Sequence, residues 1–125
     1  MAITINHDTN DILPTSGSLG SLYSSSFKDV VYSITDGASV DINPVNGGIQ
    51  TWTLGANRSP TATNFENGQS VTLMIDDGTA YTVTWPSVTW KTNGGTAPTL
   101  NTTGITAIQL WKVGGTLYGA RSGDA

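Results

Sequence analysis

The sequence predicts an all-β protein, an antiparallel two-sheet β-sandwich with jelly-roll-like topology. Three observations predict it. The first is composition: 11% of the 125 residues are charged, 37% are hydrophobic and 15 are glycine, while Glu66 is the one glutamate and Lys28, Lys91 and Lys112 are the only lysines. The side chains that usually cover the exposed face of a helix are nearly missing. The second is punctuation: from Val30 onward, short runs of β-branched and aromatic residues recur between turn signals rich in Gly, Asn, Asp and Pro. The third is spacing, since strands this short and this close together build sandwiches and barrels rather than a parallel α/β sheet. A chain of this length makes one core and hides roughly two thirds of the surface of its extended form.

Residues 1–29, "MAITINHDTNDILPTSGSLGSLYSSSFKD", read as an extended N-terminal arm. After a brief alternation at Ile3 and Ile5 the arm turns rich in Ser, Gly and Thr. Leu13, Leu19, Leu22, Tyr23 and Phe27 nevertheless make it too apolar for a flexible linker, so it is expected to pack on its own domain or on a neighbouring subunit. Residues 30–125 form the β-domain. Its expected strands are "VVYSI", "SVDI", "IQTWTL", "SVTLMI", "AYTVTW", "SVTW", "ITAIQLWKV" and "TLYGA", separated by "TDG", "NPVNGG", "GANRSP", "ENGQ", "DDG", "TNGGTAP", "NTTG" and "GG". Alternation in "IQTWTL" places Gln50, Trp52 and Leu54 on one side, the expected core side.

The stretch "SVTLMIDDGTAYTVTW", residues 70–85, holds the adjacent carboxylates Asp76 and Asp77. A two-residue turn at Asp77-Gly78 would set Leu73 against Thr82 and Val71 against Thr84, mixing polar and apolar side chains on one face. A three-residue loop of Asp76, Asp77 and Gly78 sets Ile75 against Thr79, Leu73 against Tyr81 and Val71 against Val83, which gives one clean apolar face. The pair is therefore read as turn geometry, with Gly78 at the left-handed position, and not as an acid-base couple. Val71, Leu73, Ile75, Tyr81 and Val83 are the core residues this hairpin predicts.

Other chemistry finds little support in the residues. Nine acidic against five scattered basic residues give a net charge of -4, the wrong balance for a phosphate-binding surface, so no nucleic-acid partner is expected. No apolar run is long enough to span a bilayer and the N-terminus lacks the regions of a signal peptide, so the expected product is soluble, made in the cytoplasm and without a membrane partner. With no cysteine there is no disulfide, thiolate metal site or cysteine nucleophile. His7 is the only histidine, which excludes a histidine cluster and leaves a serine triad without a well-placed base. The "DTND" stretch offers oxygen ligands of the kind calcium prefers but lacks the glycine and distal glutamate of an EF-hand loop, and it is read as Asx turns. No phosphate-cradling loop is present. No cofactor or metal and no catalytic residue is expected.

Trp52, Trp85, Trp90 and Trp111, with Tyr32, Tyr81 and Tyr118, are read first as core or subunit contacts and second as a platform for sugar rings. In "IQLWKVGGTLYGA" a two-residue Gly114-Gly115 turn sets Trp111 opposite Tyr118 on one face and sends Ile108 and Leu110 to the core.

The recurring elements "ENGQSVTLMIDDG" leading into "TWP", then "W...GGTAP", then "IQLWKVGGTLYG" resemble a β-module of structural proteins of tailed bacteriophages, notably marine and cyanobacterial ones, and the opening "ITINHDTNDI" is similar to the start of such proteins. The resemblance covers most of the chain and implies a non-enzymatic role on the virion surface, as a capsid decoration or cement protein or a short tail-fibre component, with major capsid or tail proteins as partners. It implies a homotrimer and transfers no catalytic residue. The alternative it allows is a receptor- or carbohydrate-binding fibre tip with a host glycan as partner. The chain shows no heptad or collagen-like repeat of a long fibre shaft. The expected assembly contacts are Leu13, Leu19, Leu22, Tyr23 and Phe27 of the arm together with Trp111 and Tyr118. Deleting the arm should leave a folded, soluble β-domain by circular dichroism and gel filtration, and the truncated protein should no longer bind particles at full occupancy.

Overall fold

The computed structural model describes residues 3–6, 11–14, 23, 25–76 and 81–124. β1 (Ile3–Asn6) and β2 (Asp11–Pro14) pair antiparallel as a small sheet of their own. The domain is built on six strands: β3 (Val31–Ser33), β4 (Ile49–Thr53), β5 (Ser70–Asp76), β6 (Thr89–Trp90), β7 (Ile105–Val113) and β8 (Thr116–Asp124). They lie side by side in the order β3-β4-β5-β7-β8-β6. The β-rich class is as expected, but the pairing is not all antiparallel. β3/β4, β4/β5 and β6/β8 run parallel, and only β5/β7 and β7/β8 run antiparallel. Jelly-roll topology does not describe this order.

Alternation decides the two faces of the sheet. Gln50 and Trp52 on β4, Val71, Leu73 and Ile75 on β5, and Thr106, Ile108 and Leu110 on β7 all point inward and are buried. The core reading of Trp52 with Leu54 therefore holds, and Gln50 on the same side is buried with them. The expected hairpin does not hold. β5 is paired with β7 over its whole length and with β4 from Thr72 to Asp76, so neither edge is left for the expected partner strand. The nine-residue β7 carries a longer apolar alternation than that segment and pairs Val71 with Leu110 and Leu73 with Ile108. Tyr81 is exposed, and Val83 reaches the core only from the covering layer. Asp76 is the last residue of β5, laddered to Thr53 and Ile105 rather than sitting in a turn; Asp77 and Gly78 lie outside the described residues.

Parallel neighbours require long crossovers, and with so few helix formers these are irregular loops. Residues 34–48 and 54–69 cross the inner face and bring Ile34, Val40, Ile42 and Phe65 down onto it. Three short extended stretches in this layer are linked by single parallel bridges, Asp41 to Thr61 and Arg58 to Val83. They cover the sheet but do not amount to a second laddered sheet. Asp41 ties the two crossovers further by accepting from Thr61 Oγ1 and Asn64 Nδ2, each at 2.7 Å. At the domain boundary Asp29 Oδ1 accepts from the amides of Val30 (2.7 Å) and Gly48 (3.3 Å). The approach is so close that a Cβ on Gly48 would meet Asp29 Oδ2 at 2.0 Å. A cut before Asp29 therefore preserves this clamp, and a cut after it does not.

Two polar groups hold the core. Trp52 is 1% exposed, and its indole N–H donates to Asp36 Oδ1 at 2.9 Å. The same carboxylate accepts from the Gly55 amide at 3.1 Å and from Nε and Nη2 of Arg58, an ion pair. The Arg58 hydrogen bond is the largest influence on Asp36, which also gains from Trp52 and Gly55 against the opposing effect of burial, and its pKa falls from 3.8 to about 2. Because the folded value is depressed, this stabilisation is fully present above about pH 4 and is lost as the pH falls toward about 2. Asp36→Ala should cost about 2 kcal/mol at pH 7, and its stability should fall less steeply than the parent's across that acid window in denaturant titrations.

Gln50 is the second group. Fully buried, it donates through Nε2 to the carbonyls of Asn43 (2.7 Å) and Gly47 (3.0 Å), which fastens the short turn Pro44–Asn46 to the sheet. Gln50→Glu would aim a carboxylate at two carbonyl oxygens. We expect a loss of about 3 kcal/mol or more at pH 7 by chemical denaturation, shrinking as the pH is lowered and the carboxyl protonates.

Candidate functional site

β7 and β8 are joined by Gly114 and Gly115, at φ 56° and 84°, a turn that fits the twist of the flanking strands only with both residues left-handed. This fixes Trp111 opposite Tyr118, as the spacing predicts, and turns both rings to the face away from the core. The rings stack with centroids 5.9 Å apart and planes at 21°. Lys91, just beyond β6, places Nζ 5.1 Å from the centre of the Tyr118 ring. Since β8 lies between β7 and β6, Trp111 and Lys91 approach Tyr118 from opposite sides. Lys91 has no local sequence signal for this place, because only the parallel β6/β8 pairing brings it there.

The ring row is the margin of a larger surface. Moving across the sheet, the outward side chains are Gln109 and Ala107 on β7, Thr72 and Met74 on β5, Ile49 and Thr51 on β4, and Val31 on β3. Thr72 donates to Gln109 Oε1 at 2.8 Å, which occupies polar groups that would otherwise seek water. Ile49, Ile105 and Val31 are 36%, 43% and 62% exposed. On β3, β4, β5 and β7 the only charged outward residue is Asp76, at the far end of β5.

Of the expected arm contacts, Tyr23 and Phe27 stand fully or largely in solvent, at 104% and 79% exposure. Leu13 belongs to β2, where its backbone pairs with Thr4, and Leu19 and Leu22 lie outside the described residues. The structure brings Trp111 and Tyr118 together. Among the described residues no group of three or more His, Cys, Asp or Glu side chains converges on a metal-sized site. The two strongest carboxylate centres, Asp36 and Asp41, are occupied by hydrogen bonds from the chain itself. No protein-family model, curated protein or solved structure matches the chain.

Proposed function

We propose that this chain is a non-enzymatic structural protein of the surface of a tailed-bacteriophage particle, a capsid decoration or cement protein or a short fibre component. It self-associates as a homotrimer and docks by its N-terminal arm on major capsid or tail proteins. The observation that carries the reading is the nearly uncharged outer face of the sheet. A face with Val31, Ile49, Met74, Ile105 and Trp111 gains roughly 25 cal/mol for each Å² of apolar surface that a neighbour removes from water. The stacked Trp111 and Tyr118 rings are the kind of rigid aromatic anchor on which contact energy concentrates. Exposed Tyr23 and Phe27 give the arm side chains with which to dock. The trimer follows from the resemblance, since decoration proteins on local threefold axes and phage fibres share that symmetry.

Trp111→Ala removes a side chain that faces outward and is only half-buried, so the β-fold should persist while self-association or particle binding weakens by about tenfold or more. Sedimentation and a particle-binding assay on the variant check this. A parent protein that stays monomeric at high concentration, together with a variant that decorates particles normally, contradicts the proposal.

A further inference from the structure

The domain sheet ends in β3 on one side and in β6 on the other. β6 is two residues long, too short to template a ladder, whereas β3 runs for three. The backbone shows which groups β3 leaves open. The Val30 carbonyl accepts from the Ile49 amide at 3.4 Å, and the Ile34 amide donates to the Thr51 carbonyl at 2.8 Å, so Val30 and Ile34 are turned toward β4. Backbone groups alternate in direction along a strand. Val31 and Ser33 therefore aim their amides and carbonyls away from β4, to the side where no further strand lies among the described residues.

Natural sheets blunt such an edge with a charge, a proline or a bulge. Val31–Ser33 has none of these. Val30, Val31 and Tyr32 are 62%, 62% and 37% exposed. The edge is also set before any partner arrives, because Asp29 Oδ1 accepts from the amides of Val30 and Gly48 and so pins the entry to β3 beside the entry to β4. A site fixed in advance loses less freedom on binding.

The arm supplies the matching piece. β1 and β2 ladder with each other, from Ile3 opposite Pro14 to Asn6 opposite Asp11, and with no strand of the domain sheet among the described residues. A two-stranded sheet is marginal in water by itself and gains from a third strand. Its two edges differ. β2, "DILP", carries a charge and a proline, as a strand that stays at an edge does. β1, "ITIN", carries neither, and its Ile3, Thr4 and Ile5 are all β-branched. The order β2-β1-β3 puts the strand suited to pairing inside and Pro14 at the new margin, where it hinders further addition. Tyr23 and Phe27 stand in solvent, so the chain that leads from the arm into β3 is not laid down on its own domain at those residues. Residues 15–30 can span at most roughly 50 Å at about 3.3 Å per residue, enough to cross to an adjacent copy.

We propose that β1 of one copy adds to the open edge of β3 in the next, so that arms are exchanged head to tail around the assembly. The inference rests on the self-association proposed above and names a contact for it apart from the outer face. Main-chain hydrogen bonds give the affinity. Each copy gives one arm and receives one, and a closed ring of three satisfies every edge. Tyr23 and Phe27 lie outside the exchanged strands and stay available to the particle.

The test blocks the two halves of the contact separately, each in the full chain. Val31→Pro removes an amide that points away from β4 and so spares the ladder to β4. Thr4→Pro combined with Ile5→Pro removes amides on both sides of β1. Each variant should keep the parent's strand signal in circular dichroism and associate about tenfold more weakly, or worse, in sedimentation. Mixed, the two should form a one-to-one heterodimer and stop there, since one brings a receptive edge and the other a donating arm. In the parent, hydrogen exchange at the amides of Val31 and Ser33 should slow as rising concentration drives assembly, a reading that needs no variant. Variants that assemble like the parent overturn the proposal; if Trp111→Ala then disperses the assembly, the outer face alone holds it and the reading above stands. A parent that stays monomeric at high concentration overturns it as well, as does a mixture of the two folded variants that stays monomeric. Slow exchange at Val31 and Ser33 already in the monomer, or only on particles, gives the edge to the chain's own arm or to a particle protein and overturns it too.

Discussion

Trp52 is the largest fully buried side chain of the core, and its indole N–H cannot be left there without an acceptor. Asp36 meets that need from the first crossover, while Gly55 and Arg58 of the second crossover bind the same carboxylate. One ionised group thereby fastens both long connections to the middle of the sheet. Without them β3, β4 and β5 could not run parallel, because each parallel step needs a chain that returns over the inner face. The Asp41 contacts and the single bridges between residues 41 and 61 and residues 58 and 83 extend the same attachment along the layer.

This arrangement leaves the two faces of the sheet unequal. The crossovers and residues 82–100 saturate the inner face, where Val71, Leu73, Ile75, Ile108 and Leu110 are fully enclosed. The outer face receives no such layer from the described residues and carries almost no charge to keep it wet. A single sheet with one open, weakly polar face is complete as a fold and incomplete as a surface, which is why assembly is the reading the geometry supports.

What was legible in the sequence was local. Alternation in "IQTWTL", "SVTLMI" and "ITAIQLWKV" told which side chains face the core, and two successive glycines told the register of Trp111 and Tyr118. Alternation does not say which strand lies alongside. The apolar face of β5 fitted residues 81–83 as a hairpin and fitted β7 over seven residues, and the longer ladder won despite its greater separation in sequence. Parallel pairing was missed because its usual sign, a helical crossover, is replaced here by loops. The Asp36–Arg58 pair has no periodicity to betray it, since it joins residues brought together by the topology alone.

Hydroxyl-radical footprinting of the chain, free and bound to particles, addresses the open face most directly. Met74, Trp111 and Tyr118 should lose most of their reactivity on assembly, Tyr81 on the covering side should keep its own, and buried Trp52 should stay unlabelled throughout. Equal labelling of Met74, Trp111 and Tyr118 in the free and assembled states would contradict the account.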